Sequence, residues 1–342
     1  MKPPHDGLRP SVTVELVKSA LCTLALVLPL LAQQAAQQVP ESPIITTDTS
    51  LVLVPVSVVD RKGNLIDGLN LEDFQLTDMG VRQKLRLDTS DTVVAPVSMV
   101  VLVQASGISQ PAIARLKQVG SMLKPVVAGQ RGQVAVIAFD DEVRVFQDFT
   151  TDSDAVTEAI NRITGRTIKG SKMLDAVARA VKLLSTRPIS DRRLIFLVSE
   201  ARDRGSKLTL REAREMAERA GAVVYSATYS VQIQNWTSKP GDAPPMPGEP
   251  NYVNAFSELG RLSLRNAATS LARVTGGRHL SFVTVESLEK AITRMGEEIH
   301  GQYLLSFTPP QSKNKGFHQI SVTVPSKTGA VVRVREGYWP ER

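Results

Sequence analysis

Two polar side chains, Gln104 and Ser106, directly follow an apolar run at residues 97–103. A short and fully apolar run is typical of a buried strand in a parallel sheet, and ligands of such sheets bind at the carboxyl ends of the strands. A serine at this place could contact a bound partner or could serve as a nucleophile. The loop after residue 103 is therefore the first candidate for a functional site.

Nucleophilic catalysis by Ser106 would need a general base, and the sequence offers none in a recognisable pattern. There is no Gly-x-Ser-x-Gly motif, and His279, His300 and His318 are scattered without a neighbouring carboxylate pattern. Cys22 is the one cysteine, so a cysteine nucleophile and a thiolate metal site have no support in a chain processed after it. We therefore predict a protein that is not an enzyme, with a serine hydrolase as a remote alternative.

The elements that must hold the Ser106 loop alternate between apolar runs and helical periods. The apolar runs lie at 97–103, 133–139, 193–198 and 222–228, and the helical periods lie at 111–125, 152–162, 172–185 and 208–220. A strand at 278–282 and a helix at 285–301 complete the series. Apolar strands between amphipathic helices predict an α/β domain over residues 96–301, Rossmann-like and doubly wound, with a mainly parallel sheet covered on both faces.

Alternating, β-branched segments lie on both sides of this domain, at residues 51–95 and at 302–342. Each segment is too short to bury a face alone, so we expect the two to pair into one module resembling a β-sandwich. Two separate β appendages remain the alternative.

The N-terminal segment predicts export. A 12-residue apolar run, Ala20 to Leu31, follows Lys2, Arg9 and Lys18, and small residues follow it. Because about 20 apolar residues are needed to span a bilayer, we expect a signal peptide over 1–32, cleaved near Ala32, rather than an anchor. Residues 33–50, rich in Gln, Pro, Ser and Thr, are interpreted as a linker. The location expected is periplasmic or secreted.

The 342 residues have a net charge of +7, but aromatic residues make up only 5% and no basic block stands out. We therefore expect no nucleic-acid partner. The 42% of hydrophobic residues is ordinary for a globular protein with a core.

Several short motifs, in order along the chain, resemble those of von Willebrand factor A (VWFA)-related proteins of the acidobacterial type. In the first β segment they are Val59-Asp-Arg-Lys-Gly63, Gly68-Leu69, Glu72-Asp-Phe74, Asp78-Met-Gly80 and Gln83. Towards the end they are Thr275-Gly-Gly277, Gln302-Tyr-Leu-Leu305, Thr308-Pro309, His318-Gln-Ile320 and Val334-Arg-Glu-Gly-Tyr338. The resemblance implies a VWFA-type α/β domain.

The resemblance also implies a Mg²⁺ site, which this family builds from an Asp-x-Ser-x-Ser loop, a Thr and an Asp. The corresponding residues here are Gln104, Ser106, Ile108, Ser171 and Glu200. Because one carboxylate and one hydroxyl are lost, we expect a degenerate metal-ion-dependent adhesion site that binds no metal. The alternative is weak Mg²⁺ binding through Ser106, Ser171 and Glu200.

Other acidic residues near these loops are interpreted more simply. Asp203 is expected to be a solvated loop charge, with a role as a rescue metal ligand as the alternative. Asp140 and Asp141 are expected in a turn after a strand, where they could also lend acidity to the site.

Residues 230–255 form a long, proline-rich loop that carries Trp236, Met246 and Tyr252. Such anchors contribute strongly at interfaces, and a disordered insertion is the alternative. The resemblance to VWFA-related proteins, together with these anchors, implies an exported, non-enzymatic adhesion or scaffold module of the cell envelope.

We expect this module to bind a protein partner in the cell envelope through the loops of Ser106, Ser171 and Glu200 and the loop at 230–255. We expect no cofactor and no small-molecule substrate.

Overall fold

The computed structural model describes residues 51–87, 96–129, 131–166, 170–188, 190–229, 266–309 and 316–340. The predicted signal peptide, the linker and the loop at 230–255 lie outside the described residues. Within the described part of the chain, no helix is long and apolar enough to cross a membrane.

A six-stranded sheet forms the centre of the α/β domain. Its strands are β5 (Val97–Gln104), β6 (Gln133–Phe139), β7 (Val143–Thr150), β8 (Arg192–Ser199), β9 (Val223–Tyr229) and β10 (His279–Phe282). Their order is β10-β9-β8-β5-β6-β7, and all neighbours are parallel except β7, which runs antiparallel to β6. The predicted mainly parallel, doubly wound sheet is therefore correct.

Helices cover both faces of this sheet. They are α1 (Gln110–Leu123), α2 (Ser153–Arg162), α3 (Met173–Leu184), α4 (Leu210–Arg219), α5 (Ala267–Val274) and α6 (Val285–His300). Alternate residues of β5 enter different cores: Val101 packs with α1, α2 and α6, whereas Leu102 packs with α3, α4 and α5. This double burial explains why β5 is apolar throughout, since successive side chains of a strand point to opposite faces.

Strand β7 was not predicted from the sequence. It lies at the edge of the sheet, and none of its residues is fully buried. An edge strand of this kind lacks the continuous apolar run that marks the buried strands, so the apolar signal stops at Phe139.

The flanking β segments form two four-stranded sheets. Before the α/β domain the strands are β1 (Val52–Val59), β2 (Gln75–Asp78), β3 (Val81–Arg82) and β4 (Arg86–Leu87); after it they are β11 (Tyr303–Phe307), β12 (His318–Thr323), β13 (Val331–Arg333) and β14 (Gly337–Tyr338). The sheet orders are β13-β1-β11-β4 and β14-β12-β2-β3.

Each of these sheets combines strands from both ends of the described chain, as expected for one module. Strand β1 pairs with β11 and β13, and β2 pairs with β12. Val56 and Leu305 from the first sheet and Leu76 and Ile320 from the second share one core. We call these eight strands the β module.

Two glycines after α5 allow close backbone packing, Gly277 against β9 and Gly276 against the β module. A Cβ atom on Gly277 would lie 2.0 Å from the carbonyl oxygen of Val224 in β9. Gly276 has a φ of +81°, and a Cβ there would lie 2.5 Å from the backbone nitrogen of Arg335 in the β module. The Thr275-Gly-Gly277 motif therefore allows backbone-to-backbone packing that a larger residue would prevent.

Candidate functional site

The loops after β5 and β8 meet at one edge of the central sheet, which we call the carboxyl edge. Gln104, the last residue of β5, is buried, and its side chain joins the two loops. Its amide nitrogen Nε2 donates to Ser106 Oγ at 2.8 Å and to Glu200 Oε1 at 3.2 Å. Its amide oxygen accepts the backbone N–H of Glu200 at 2.9 Å. The Gln104 amide therefore forms hydrogen bonds with both Ser106 and Glu200.

Glu200 also forms an ion pair with a residue that sequence analysis did not single out. Arg204 Nη2 lies 3.1 Å from Glu200 Oε2, and the Glu200 side chain is 5% exposed. The spacing of four residues is a weak signal, because outside a helix it does not predict contact. Both carboxylate oxygens of Glu200 thus have donors from this chain.

Ser171 joins the same edge through the backbone. Its N–H donates to the carbonyl of Arg204 at 3.0 Å, and Arg204 N–H donates back at 2.8 Å. Its hydroxyl lies 3.4 Å from the carbonyl of Arg202. The structure therefore brings Gln104, Ser106 and Glu200 into direct contact and connects Ser171 to them through Arg204.

Ser106 belongs to a chain of hydroxyl groups. Its Oγ lies 3.1 Å from Ser109 Oγ, to which the Tyr229 hydroxyl donates at 2.7 Å. Burial raises the pKa of Tyr229 well above its usual value of 10, so this phenol stays protonated. Among the described residues, the side-chain hydrogen bonds of Ser106 are to the Gln104 amide and the Ser109 hydroxyl, and neither group is a general base.

The other predicted site residues are less defined. Ile108 lies in a short 3₁₀ turn, Gly107–Ser109, and its side chain is outside the described part. The loop anchors Trp236, Met246 and Tyr252 also lie outside the described residues.

Comparison with known families agrees with this arrangement of sheet and loops. Residues 99–202 match the family described as "von Willebrand factor type A domain". The domain has a von Willebrand factor type A (VWA) fold. The match covers β5, α1, β6, β7, α2, α3 and β8, which carry Gln104, Ser106, Ser171 and Glu200.

Solved structures with a similar fold have low sequence identity to this chain. A von Willebrand factor type A protein from Catenulispora acidiphila is 12% identical, with 76% of this chain and 70% of that chain covered and a TM-score of 0.45. The conserved hypothetical protein BatB from Bacteroides thetaiotaomicron is 16% identical, with 60% and 98% covered and a TM-score of 0.43.

The vWF domain of the type V pili tip protein Mfa5 from Porphyromonas gingivalis is 13% identical. Here 61% of this chain and 96% of that chain are covered, with a TM-score of 0.43. No curated protein matches the chain.

The VWA fold implies a Mg²⁺ ion at the carboxyl edge, and the side chains present do not fit one. Mg²⁺ requires oxygen ligands in strict octahedral geometry. Here the Gln104 amide nitrogen donates to both Ser106 and Glu200, and Arg204 neutralises the carboxylate. Among the described residues, no group of three or more His, Cys, Asp or Glu side chains is placed to hold a metal ion.

The expectation for Asp203 was wrong. Its carboxylate is neither a solvated charge nor directed to the site, because Oδ1 accepts the N–H of Leu174 at 3.1 Å and the hydroxyl of Ser206 at 2.6 Å. Leu174 is in the first turn of α3. Asp203 therefore caps that helix from another loop, where a negative charge is favourable.

Asp140 lies in the predicted turn and is completely buried. It accepts the N–H of Glu142 at 2.9 Å and binds Arg144 at 2.8 Å. Arg166 lies 3.6 Å from Asp140 and 2.7 Å from Glu142, and the bond to Glu142 raises the pKa of Arg166. These ion pairs form a charged rim beside the carboxyl-edge loops. The backbone N–H of Arg166 connects this rim to the loop after β5, because it donates to the carbonyl of Ala105 at 2.8 Å.

Proposed function

We propose that this protein is an exported, non-enzymatic module that binds a protein partner in the cell envelope through the carboxyl edge of its VWA domain, without a metal ion. VWA domains mediate protein–protein interactions, and the matched residues include those of this edge. The β-module motifs extend the resemblance to VWFA-related proteins of the acidobacterial type beyond the matched residues.

The position of the Gln104 side chain supports binding without a metal ion. The Gln104 amide nitrogen lies within hydrogen-bond distance of both Ser106 Oγ and Glu200 Oε1. Ser106 and Glu200 occupy two of the positions at which the family places metal ligands. The neutral NH2 group of Gln104 thus bridges two side chains that a cation would otherwise bridge, and the polar atoms of the site have hydrogen-bond partners without an ion.

The surface around this edge suits a polar protein interface. The side chains of Arg204, Arg166 and Glu142 are 45%, 37% and 61% exposed. Exposed ion pairs such as these add little to stability. We propose instead that their charges complement charges of opposite sign on the partner. The buried amide and hydroxyl network beneath them keeps the loops in one arrangement, which reduces the entropic cost of binding.

Export rests on the N-terminal segment alone. If the signal peptide is cleaved, native protein recovered from the organism begins between Gln33 and Gln38. Retention of Lys2 at the N-terminus, measured by sequencing or intact mass, would contradict cleavage.

Site-specific photocrosslinking tests the binding surface. A photoreactive amino acid would replace the exposed Glu142, and a matched control would replace Lys182, which is exposed at the end of α3 that leads away from the carboxyl edge. Cells are irradiated, and the crosslinked protein is identified and purified. We expect crosslinking from position 142, none from 182, and the same affinity of the purified partner with and without EDTA.

Two results would overturn the proposal. Loss of binding in EDTA would favour a Mg²⁺-dependent adhesion module. Equal crosslinking from both positions would move the interface away from the carboxyl edge.

A further inference from the structure

A cavity of about 200 Å³ lies at the other end of the central sheet, which we call the amino edge. It is lined where β8 begins at Arg192, where α4 ends at Arg219 and where β9 begins at Val223. The β module closes it with residues of β1 and with the segment at 335–340. The cavity is therefore lined by both the α/β domain and the β module, and it is separate from the carboxyl edge.

Four arginines line this cavity, and within the described residues three of them, Arg192, Arg193 and Arg335, are not paired with a carboxylate as Arg219 is with Glu215. Arg192 Nη2 donates to the amide oxygen of Gln302, and Arg335 Nη2 donates to the carbonyl of Leu53 at 2.8 Å. Arg193 donates to the carbonyls of Ala220 at 3.0 Å and Arg187 at 2.9 Å. All these acceptors are neutral oxygens.

None of the three guanidinium groups forms an ion pair within the described part of the chain. The buried Nε atoms of Arg193 and Arg335 also lack a hydrogen-bond partner. Asp191 and Glu218 favour the charged forms of Arg193 and Arg335 only from beyond ion-pair distance. Incompletely compensated charges and unsatisfied donors in one partly buried place are costly for a folded protein. Such an arrangement becomes favourable when an anion supplies the missing acceptors.

The pKa values agree with this geometry. Burial lowers the pKa of Arg335 from 12.5 to about 10, and burial also lowers the pKa values of Arg192 and Arg193. Because its pKa of about 10 is well above 7, Arg335 remains charged at neutral pH. An anion among the three guanidinium groups would offset the cost of this desolvation, because an opposite charge favours the charged form of a guanidinium.

The acidic residues at the cavity are already engaged by other groups. Asp191 Oδ2 accepts the hydroxyl of Ser98 at 2.6 Å and lies 3.7 Å from Arg187 Nε. Glu218 Oε1 binds Arg214 at 2.8 Å. Neither forms an ion pair with the three cavity arginines.

The rest of the cavity wall is largely apolar. It includes Leu53, Ala222, Val223 and Trp339, and the indole of Trp339 is held by Arg219, whose guanidinium carbon lies 3.8 Å from the ring centroid. The volume is below that of sites for drug-sized molecules, which begin at about 300 Å³. An occupant must therefore be small, with one anionic group and an apolar body.

We propose that the amino-edge cavity binds a small organic carboxylate, whose anionic group contacts Arg335 and whose apolar body packs beside Trp339. A carboxylate offers the planar pair of acceptors that a guanidinium fork matches. The site would connect the α/β domain to the β module, since the ligand contacts residues of both. This inference does not depend on the proposed function of the carboxyl edge.

Benzoate is the probe, and the neutral benzamide, of nearly equal shape, is its control. The full chain is titrated with each at constant ionic strength in a buffer without carboxylates, and the melting temperature is recorded. At a benzoate concentration about tenfold above its Kd, we expect a saturable rise of about 3 °C. Benzamide should produce no saturable rise, because it carries no charge to meet the arginines.

Two variants and one control test whether benzoate binds in this cavity. Arg335→Met should weaken benzoate binding about tenfold, the expected loss of a charge-assisted hydrogen bond, while Arg179→Met, an exposed arginine of α3, should leave it unchanged. Ala220→Leu keeps the arginines and adds bulk at the cavity wall, so it should weaken the benzoate response. Calorimetric titration of each folded variant measures the affinities.

The wild-type titrations do not depend on the folding of any variant. Equal responses to benzoate and benzamide, or no response to either, would overturn it. An unchanged benzoate affinity in Arg335→Met or in Ala220→Leu would also overturn it, because binding would then occur elsewhere.

Discussion

Glu298 of α6 lies 2.8 Å from the guanidinium of Arg333 in β13, so that a helix of the VWA domain is ion-paired to the β module. The same carboxylate lies 2.7 Å from Arg278 and accepts the hydroxyl of Ser57 in β1 at 3.2 Å. The Glu298 side chain is only 2% exposed. This buried cluster joins elements that are far apart along the chain.

Removing the charge of Glu298 should destabilise the whole fold. Glu298→Gln keeps the side-chain shape but leaves Arg278 and Arg333 without their counter-charge, so we expect the free energy of unfolding to fall by about 3 kcal/mol. Urea denaturation measures the change. The exposed neighbour provides a control: Glu297→Gln should alter stability by less than about 0.5 kcal/mol. A loss of stability in Glu298→Gln as small as that in Glu297→Gln would contradict the stabilising role of the cluster.

Gln104 should matter for stability as well as for the site. Gln104→Leu removes the donor to Ser106 and Glu200 and the acceptor of the Glu200 N–H, so we expect a loss of about 2 kcal/mol. Gln110→Leu is the control, because the exposed Gln110 side chain makes one hydrogen bond, to the Gly165 carbonyl. Chemical denaturation of both variants should separate them clearly, and a neutral Gln104→Leu would contradict the bridging role of the amide.

Magnesium should not stabilise the wild-type protein. A ligand raises the melting temperature only if it binds the native state, and we expect no change with millimolar Mg²⁺. The double variant Gln104→Asp with Ile108→Ser restores a carboxylate and a hydroxyl, so it should gain a rise that EDTA reverses. Adding Arg204→Ala should strengthen this response, because Glu200 is then released from its ion pair. A wild-type rise reversed by EDTA would revive the metal-dependent alternative.

His279 should make the fold sensitive to mild acid. The half-buried ring lies 3.0 Å from Ser226 Oγ, and burial lowers its pKa below the usual 6.5. The unfolded chain therefore takes up a proton at higher pH than the folded protein, and stability falls as the pH drops through 6.5 towards the lowered pKa. His279→Gln should remove this part of the pH dependence, whereas changing the exposed His300 to Gln should retain it. Denaturation between about pH 7 and pH 5 is the test.

The proline-rich loop should be dispensable for folding. Replacing Asp242–Pro250 by a short Gly-Ser linker changes the loop length, which costs little entropy, and we expect an unchanged denaturation midpoint. Partner affinity should fall if Trp236, Met246 and Tyr252 belong to the interface. Unchanged affinity in the folded variant would make the loop a spacer and direct attention to the β module.

The order of strands and helices and the doubly wound α/β domain could be predicted from the sequence, because these features depend on local hydrophobic periodicity. Continuous apolar runs marked β5, β6, β8 and β9 since both faces of these strands are covered. The same reasoning placed Gln104 and Glu200 at strand ends. It missed β7, whose half-exposed edge position leaves only a weak pattern.

Contacts between distant residues were decided by the tertiary structure alone. Asp78 and His318 are 240 positions apart, and their side chains meet at 3.0 Å only because β2 pairs with β12. Asp203 and Arg204 could not be assigned from their residue types, since one caps a helix of another segment and the other neutralises Glu200. A periodic pattern specifies which face of an element is buried, whereas charge pairing depends on which elements the completed fold brings within a few ångströms.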